Sequence, residues 1–230
     1  MLSGLSGSPG LSGLSGRTTD TYGYAVVDLE ATGSSSRRHR VIELAVVLLD
    51  RDLEPQGEFA TLVDPQGAVG PTHIHGIEPE HLAGAPRFAG IAARLLALLR
   101  GRVLVGHNVG CERAFLAAEY ARVGVRLPAM PEVCTMRLSG PDGPSLRVCA
   151  AAAGVTDWSP HTALGDARAT AAVLAARVAG GAGFAAELGA AAALRWPKPA
   201  AVLAAADALW VSRGNDPARR AVPMIRPEHA

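Results

Sequence analysis

Asp28 and Glu30 stand two residues apart in the run YAVVDLEAT. In an extended strand that spacing points both carboxylates from one face and turns Val27 and Leu29 to the other. The first strand of a meander is usually central, and carboxylates there are costly unless cations neutralise them. Taken alone, the pair is better explained by an amphipathic strand with a solvated acidic edge. A second grouping, His161-Thr162-Ala163-Leu164-Gly165-Asp166, places an imidazole just before a helix and an acid in its first turn. On its own, Asp166 needs no role beyond favouring the positive end of that helix. The third candidate is Glu112, which opens a helix after Gly106-His107-Asn108 and shares a side with Phe115, Leu116 and Glu119. A Glu in a first helical turn is common. Only in company do these groups point to chemistry, with carboxylates to hold hard cations and an imidazole to accept a proton.

The elements that must position them follow from periodicity. YAVVDLEAT, RVIELAVVLLD and GEFATLVD read as three strands in a meander. RFAGIAARLLALLRG has helical spacing and a terminal Gly, and RVLVGHN supplies a fourth, short strand after that crossover. Three further helical stretches run from about Cys111 to Val123, through SLRVCAAAAG, and from about Ala163 to Val178. Strands first, then helices around a mixed sheet, predict an α/β layered fold. Residues 1–20, dominated by a Leu-Ser-Gly repeat, are expected to be a disordered leader. Residues 181–230 are expected to be an Ala-rich extension of peripheral helices or tail, broken at Trp196-Pro197-Lys198-Pro199 and followed by the helix-like AVLAAADALWVSRG. Packing of Leu203, Leu209 and Trp210 on the same domain is favoured over docking of a partner.

At 230 residues the chain accommodates one full-sized core. It is 49% hydrophobic and 19% charged, with a formal net charge of +1, which argues against broad coating of a polyanion and leaves room for a local groove. The three cysteines, Cys111, Cys134 and Cys149, match neither a zinc site nor a disulfide framework, so a reducing, cytoplasmic setting is expected. Neither an export signal nor a membrane span is predicted.

Together the motifs resemble the DEDDh (DnaQ-like, polymerase III epsilon-type) 3′→5′ exonuclease family. VVDLEATG is similar to its first motif, GHNVGCERAFL to its second and HTALGDARATAAVL to its third, over residues 24 to 178. RVIELAVV, HIHGIEPEHLAGAPRF and CTMRLSG fall in fitting places between them. The resemblance implies a ribonuclease H-like mixed sheet, an antiparallel three-strand meander plus parallel strands flanked by helices, in a domain spanning residues 21–180. One position departs: the family has an aromatic residue and Asp where this chain has Cys111-Glu112. No other acid lies between Glu80 and Glu119, so Glu112 is the natural substitute, its charge displaced by roughly one bond length.

The implied chemistry is hydrolysis of phosphodiester bonds with two Mg²⁺ or Mn²⁺ ions held by Asp28, Glu30, Glu112 and Asp166. Asp28 would bridge the ions, Glu30 and Asp166 would serve the nucleophile side, Glu112 the other cation, and His161 would be the catalytic base, active only when neutral. Ala31, Thr32, Gly33, His75, Ile77 and Asn108 are the implied substrate contacts. His73 and His75 are not assigned a metal. Arg37, Arg38 and Arg40 fit either a solvated hairpin turn or a phosphate clamp. The expected substrate is the 3′ end of single-stranded DNA, with release of nucleoside 5′-monophosphates. The alternatives are an RNA-trimming exoribonuclease, since no motif reads the 2′-hydroxyl, and a non-catalytic nucleic-acid-binding module. No polymerase or helicase motif is present, so a role in replication or repair implies a polymerase or repair subunit in trans.

Overall fold

The structure, a computed structural model, describes residues 22–140 and 143–197. The expected leader and the AVLAAADALWVSRG stretch lie outside these residues. Strands β1 (Gly23–Ala31), β2 (Val41–Asp50) and β3 (Pro55–Leu62) form the antiparallel meander, while β4 (Arg102–Gly106) and β5 (Glu132–Cys134) add in parallel on the other side of β1. The sheet order is β3-β2-β1-β4-β5, so β1 is central. The apolar runs of β1 and β2 follow from that position, because both faces of a central strand are covered. Tyr24 through Val27 and Val41 through Leu49 are all buried.

One face of the sheet carries Ala25, Val27, Leu44 and Val46 against the helices α2 (Phe88–Leu99) and α3 (Val109–Arg122). Phe88 and Tyr120 meet edge to face at 5.1 Å, and the Tyr120 hydroxyl donates to the Ala92 carbonyl at 2.7 Å, which joins the two helices. The other face carries Tyr24, Val26, Ala45 and Val47 against α5 (Ala163–Ala179). Helix α4 (Leu146–Ala152) packs on α5 through Cys149, Ala150, Ala169 and Val173. The expected elements are present at the expected places. Periodicity misses the three-residue β5 and the single-turn α1 (Thr72–His75), which are too short to display a period.

Part of the extension belongs to the packed body. In α6 (Ala185–Ala193) Ala191 is buried, and Phe184, just before it, meets Tyr24 edge to face at 6.4 Å. Leu194 and Trp196 pack against the opposite core cluster. Among the described residues no helix is long and apolar enough to cross a membrane.

This topology positions the site. Strands β1 and β4 run parallel, so both end at the same edge of the sheet, and β4 turns directly into α3 there. Ligand sites in α/β sheets form at such carboxyl ends, where neighbouring connections diverge.

Candidate active site

Asp28 and Glu30 occupy the last turns of the β1 pleat, on the face that continues Tyr24 and Val26 and looks toward α5. A register shift between Glu30 and Ala31 bulges the strand beside them, a device that re-aims side chains at strand ends. Both acids are half-buried. The Asp28 carboxyl is held well above the ordinary carboxylate range, first by burial and then by the charges of Asp166, Glu112, Glu30 and Glu43. Four other acids thus act on one carboxyl.

Glu112 lies in the first turn of α3 and is 7% exposed, on the buried stripe with Phe115, Leu116 and Glu119. Its Oε2 is buried without a hydrogen-bond partner, and burial lifts its pKa from 4.5 to about 7. The carboxylate sits over Gly106 at the end of β4, where a Cβ would come within 3.0 Å of Oε2. The missing side chain at Gly106 makes room for the longer acid.

Asp166 opens α5, whose N-cap Thr162 accepts from the Gly165 N–H at 3.2 Å. Both its oxygens are held: Trp158 Nε1 donates to Oδ1 and the His161 backbone N–H donates to Oδ2, each at 2.9 Å. Burial raises the Asp166 pKa, while these two donors and the His161 charge oppose the rise. His161 adopts φ 58°, a left-handed conformation that is uncommon for a non-glycine residue and tends to occur where function requires it. Its ring is exposed at the rim. One ligand atom from each of Glu30, His161 and Asp166 lies within 4.8 Å of the others, although β1 and α5 are more than a hundred residues apart.

Two supporting groups escape the sequence reading. Glu43 is 1% exposed on β2, opposite Glu30, and its Oε2 accepts the Ala163 N–H at 2.9 Å, fixing the start of α5. A lone acid inside the apolar run VIELAVV was the available signal. Trp158 lies in a loop, where no periodicity marks it.

The anticipated substrate contacts divide. Thr32 Oγ1 accepts the Arg40 N–H at 3.0 Å and lies 3.4 Å from His39 Nδ1, so it braces the hairpin. Gly33 is needed for close approach, because a Cβ there would strike the His39 ring. Asn108 is exposed just before α3. His75 and Ile77 are buried at 2% and 0%, and His75 Nδ1 accepts the Ile77 N–H at 3.0 Å within the turn. The outward residues of that turn are His73 and Ile74. Arg40 is engaged structurally: its Nε and a terminal nitrogen reach both Glu119 oxygens at 2.8 and 2.9 Å. Arg37 and Arg38 are exposed.

An acid cluster with an adjacent histidine at the carboxyl edge of such a sheet has the donor set for hard-cation binding and proton transfer. The family model described as "Exonuclease" (RNase_T) matches residues 25–174, and the chain belongs to that family. A Mycobacterium tuberculosis (strain CDC 1551 / Oshkosh) protein named as a bifunctional exonuclease/endonuclease is 34% identical over 170 residues, 67% of this chain and 26% of that protein. A DNA polymerase III PolC-type protein of Latilactobacillus sakei subsp. sakei (strain 23K) is 32% identical over 135 residues, 58% of this chain and 9% of its own length. The DNA polymerase III subunit epsilon of Aquifex aeolicus (strain VF5) is 30% identical over 156 residues, covering 64% of this chain and 76% of that subunit. This chain therefore spans only a minor part of the first two relatives.

Among solved structures, the nuclease domain of 3′hExo, a DEDDh family member bound to rAMP, aligns with TM-score 0.60 at 20% identity, covering 72% of this chain and 96% of that one. Exonuclease X in complex with 5′ overhanging duplex DNA aligns with TM-score 0.56 at 22% identity, over 74% of this chain and 99% of that one. These likenesses establish the ribonuclease H-like exonuclease fold.

Proposed function

We propose that this chain is a divalent-metal-dependent 3′→5′ exonuclease that removes nucleoside 5′-monophosphates from the 3′ end of single-stranded nucleic acid, DNA in preference to RNA. Asp28, Glu30, Glu112, His161 and Asp166 form its catalytic set. The observation that carries this reading is the meeting of Glu30, His161 and Asp166 ligand atoms within 4.8 Å, beside the strongly perturbed Asp28.

Two Mg²⁺ or Mn²⁺ ions are the cofactor that the family implies, and the residues fit them. The donors are hard carboxylate oxygens, their mutual repulsion calls for positive charge, and Glu112 Oε2 is a buried acceptor without a hydrogen-bond partner. Asp28, Glu30, Glu112 and Asp166 would hold the ions. Bound there, such cations relieve charge on the phosphate oxygens and lower the pKa of water.

The protein's own groups carry the remaining work. The exposed His161 ring accepts the proton of the attacking water, which requires it to be neutral. Its backbone N–H, bound to Asp166 Oδ2, sets the ring's approach to the acids. The Ala31-Thr32-Gly33 turn receives the terminal nucleotide, with the exposed Asn108 contributing polar contact. Gly70 packs on the Thr32 carbonyl and leads into α1, so Ile74, 51% exposed, supplies the apolar contact in place of the buried His75 and Ile77. The polymerase III epsilon and PolC-type relatives support DNA as the favoured polymer and association with a DNA polymerase; the partner that goes with this reading is a polymerase or repair subunit in trans.

The test is digestion of 5′-end-labelled single-stranded DNA and RNA of one sequence, with Mg²⁺, Mn²⁺ or chelator, and with free or blocked 3′ ends. Stepwise shortening of DNA ahead of RNA, abolished by chelator and by 3′ blocking, is expected. Immediate release of a labelled mononucleotide from the 5′ end contradicts the polarity, and faster RNA shortening reverses the preference.

A further inference from the structure

Trp158 occupies an unusual position for an aromatic residue in a connecting loop. It follows α4 and precedes His161, and its body packs with Leu146, Ala153 and Val155 against the cluster of Cys149, Ala150, Ala169 and Val173. The Arg147 guanidinium lies 5.9 Å from the ring centroid, within cation–π range. The remaining edge, Nε1–H, donates to Asp166 Oδ1 at 2.9 Å. The indole is thus fixed by packing, by a cation and by one directed hydrogen bond.

A carboxylate oxygen has two acceptor directions, so one donor on each oxygen leaves Asp166 able to bind a cation while removing most of its rotational freedom. Trp158 and the His161 N–H supply one donor each. Groups that orient a metal ligand from behind govern affinity through pre-organisation, and their loss typically costs 10- to 100-fold. Of the two donors here, only the one from Trp158 belongs to a side chain and can be removed by substitution.

We propose that Trp158 is the positioning residue for Asp166: its indole N–H aims the carboxylate toward Glu30 and His161 before a cation arrives, and the indole registers cation binding. This rests on the metal-site reading above. It adds a residue that touches neither substrate nor metal. A purely packing role for Trp158 predicts different behaviour, because phenylalanine retains most of the apolar contact with the α4–α5 cluster and loses only the donor.

The experiment uses the full chain and Mg²⁺ as the probe. Indole N–H resonances of ¹⁵N-labelled protein are followed through a Mg²⁺ titration, with Trp158→Phe identifying the Trp158 signal, and Mg²⁺ affinity is measured by calorimetry in both proteins. Expected results are a Mg²⁺-dependent displacement of the Trp158 signal in the unsubstituted chain and about tenfold weaker Mg²⁺ binding by Trp158→Phe. In turnover assays the variant should lose kcat with little change in KM. A Trp158 resonance that does not move while Mg²⁺ binds overturns the proposal and leaves the nuclease reading intact. So does Trp158→Phe affinity within twofold of the unsubstituted chain. Trp196→Phe and Trp210→Phe assign the other two indoles, so the Trp158 signal is identified by elimination even if Trp158→Phe folds poorly. If the chain binds no Mg²⁺, both the proposal and the metal-site reading fall.

Discussion

Glu30 and Glu43 stand directly opposite each other across the β1–β2 pair, and Glu43 ties its carboxylate to the first N–H of α5. Like charges placed opposite one another in a sheet are unfavourable, so this pairing persists only where other groups offset it. The helix terminus supplies one such offset through its N–H groups and its dipole. The consequence is geometric: the strand that carries Glu30 and the helix that carries Asp166 are joined through Glu43.

Replacing Glu43 therefore separates an acceptor from a charge. Glu43→Gln keeps an oxygen for the Ala163 N–H and should cost little stability. Glu43→Ala strands that buried donor and should cost about 1–3 kcal/mol in urea unfolding. Equal unfolding midpoints for the two variants would show that the bond does not hold α5 in place.

The raised carboxyl pKa values make stability depend on pH in a defined direction. Glu112 titrates at about 7 when folded, against 4.5 ordinarily, so the folded state binds more protons over that window. Stability should fall as pH rises from the unfolded value through about 7, and the loss from this group is on the order of 3 kcal/mol at most. In chelator, Tm should decline between pH 5 and 8, more steeply than in Glu112→Gln. Added Mg²⁺ should raise Tm more at pH 8 than at pH 5, because only the ionised acids bind it well. Parallel Tm profiles for the two proteins in chelator would remove Glu112 from the titrating cluster.

Glu112 also separates a working substitute from an ornament of the helix start. Glu112→Asp restores the shorter family carboxylate and should keep or raise Mg²⁺-dependent turnover. Glu112→Gln should lose tenfold or more, about 1.4 kcal/mol in the barrier, with partial recovery in Mn²⁺. If both variants turn over as the unsubstituted chain does, the charge acts on the helix dipole alone.

The strands and helices that carry the acids are legible because their signals are periodic or punctuated. Asp28 and Glu30 keep strand spacing, and Thr162 with Gly165 and Asp166 marks a helix start. What sequence cannot convey is which long-range partners meet. Arg40 reads as a candidate clamp in a loop, yet it pairs with Glu119, 79 residues away. His75 and Ile77 fall at a turn expected to face substrate, but the one-turn α1 directs them inward and leaves His73 and Ile74 outside. Trp158 gains its role only when the α4–α5 packing brings its N–H to Asp166, and no local pattern encodes that meeting.

The central claim is that acids gathered around Asp28 hold the cations that cleave the phosphodiester. The most direct measurement is Mg²⁺-dependent release of 3′-terminal nucleotides by the unsubstituted chain and by Asp28→Asn, purified in parallel and checked for equal folding. The account predicts chelator-sensitive turnover in the former and a loss of at least about a hundredfold in the latter, corresponding to roughly 2.7 kcal/mol in the barrier. Equal turnover by two equally folded proteins would contradict it.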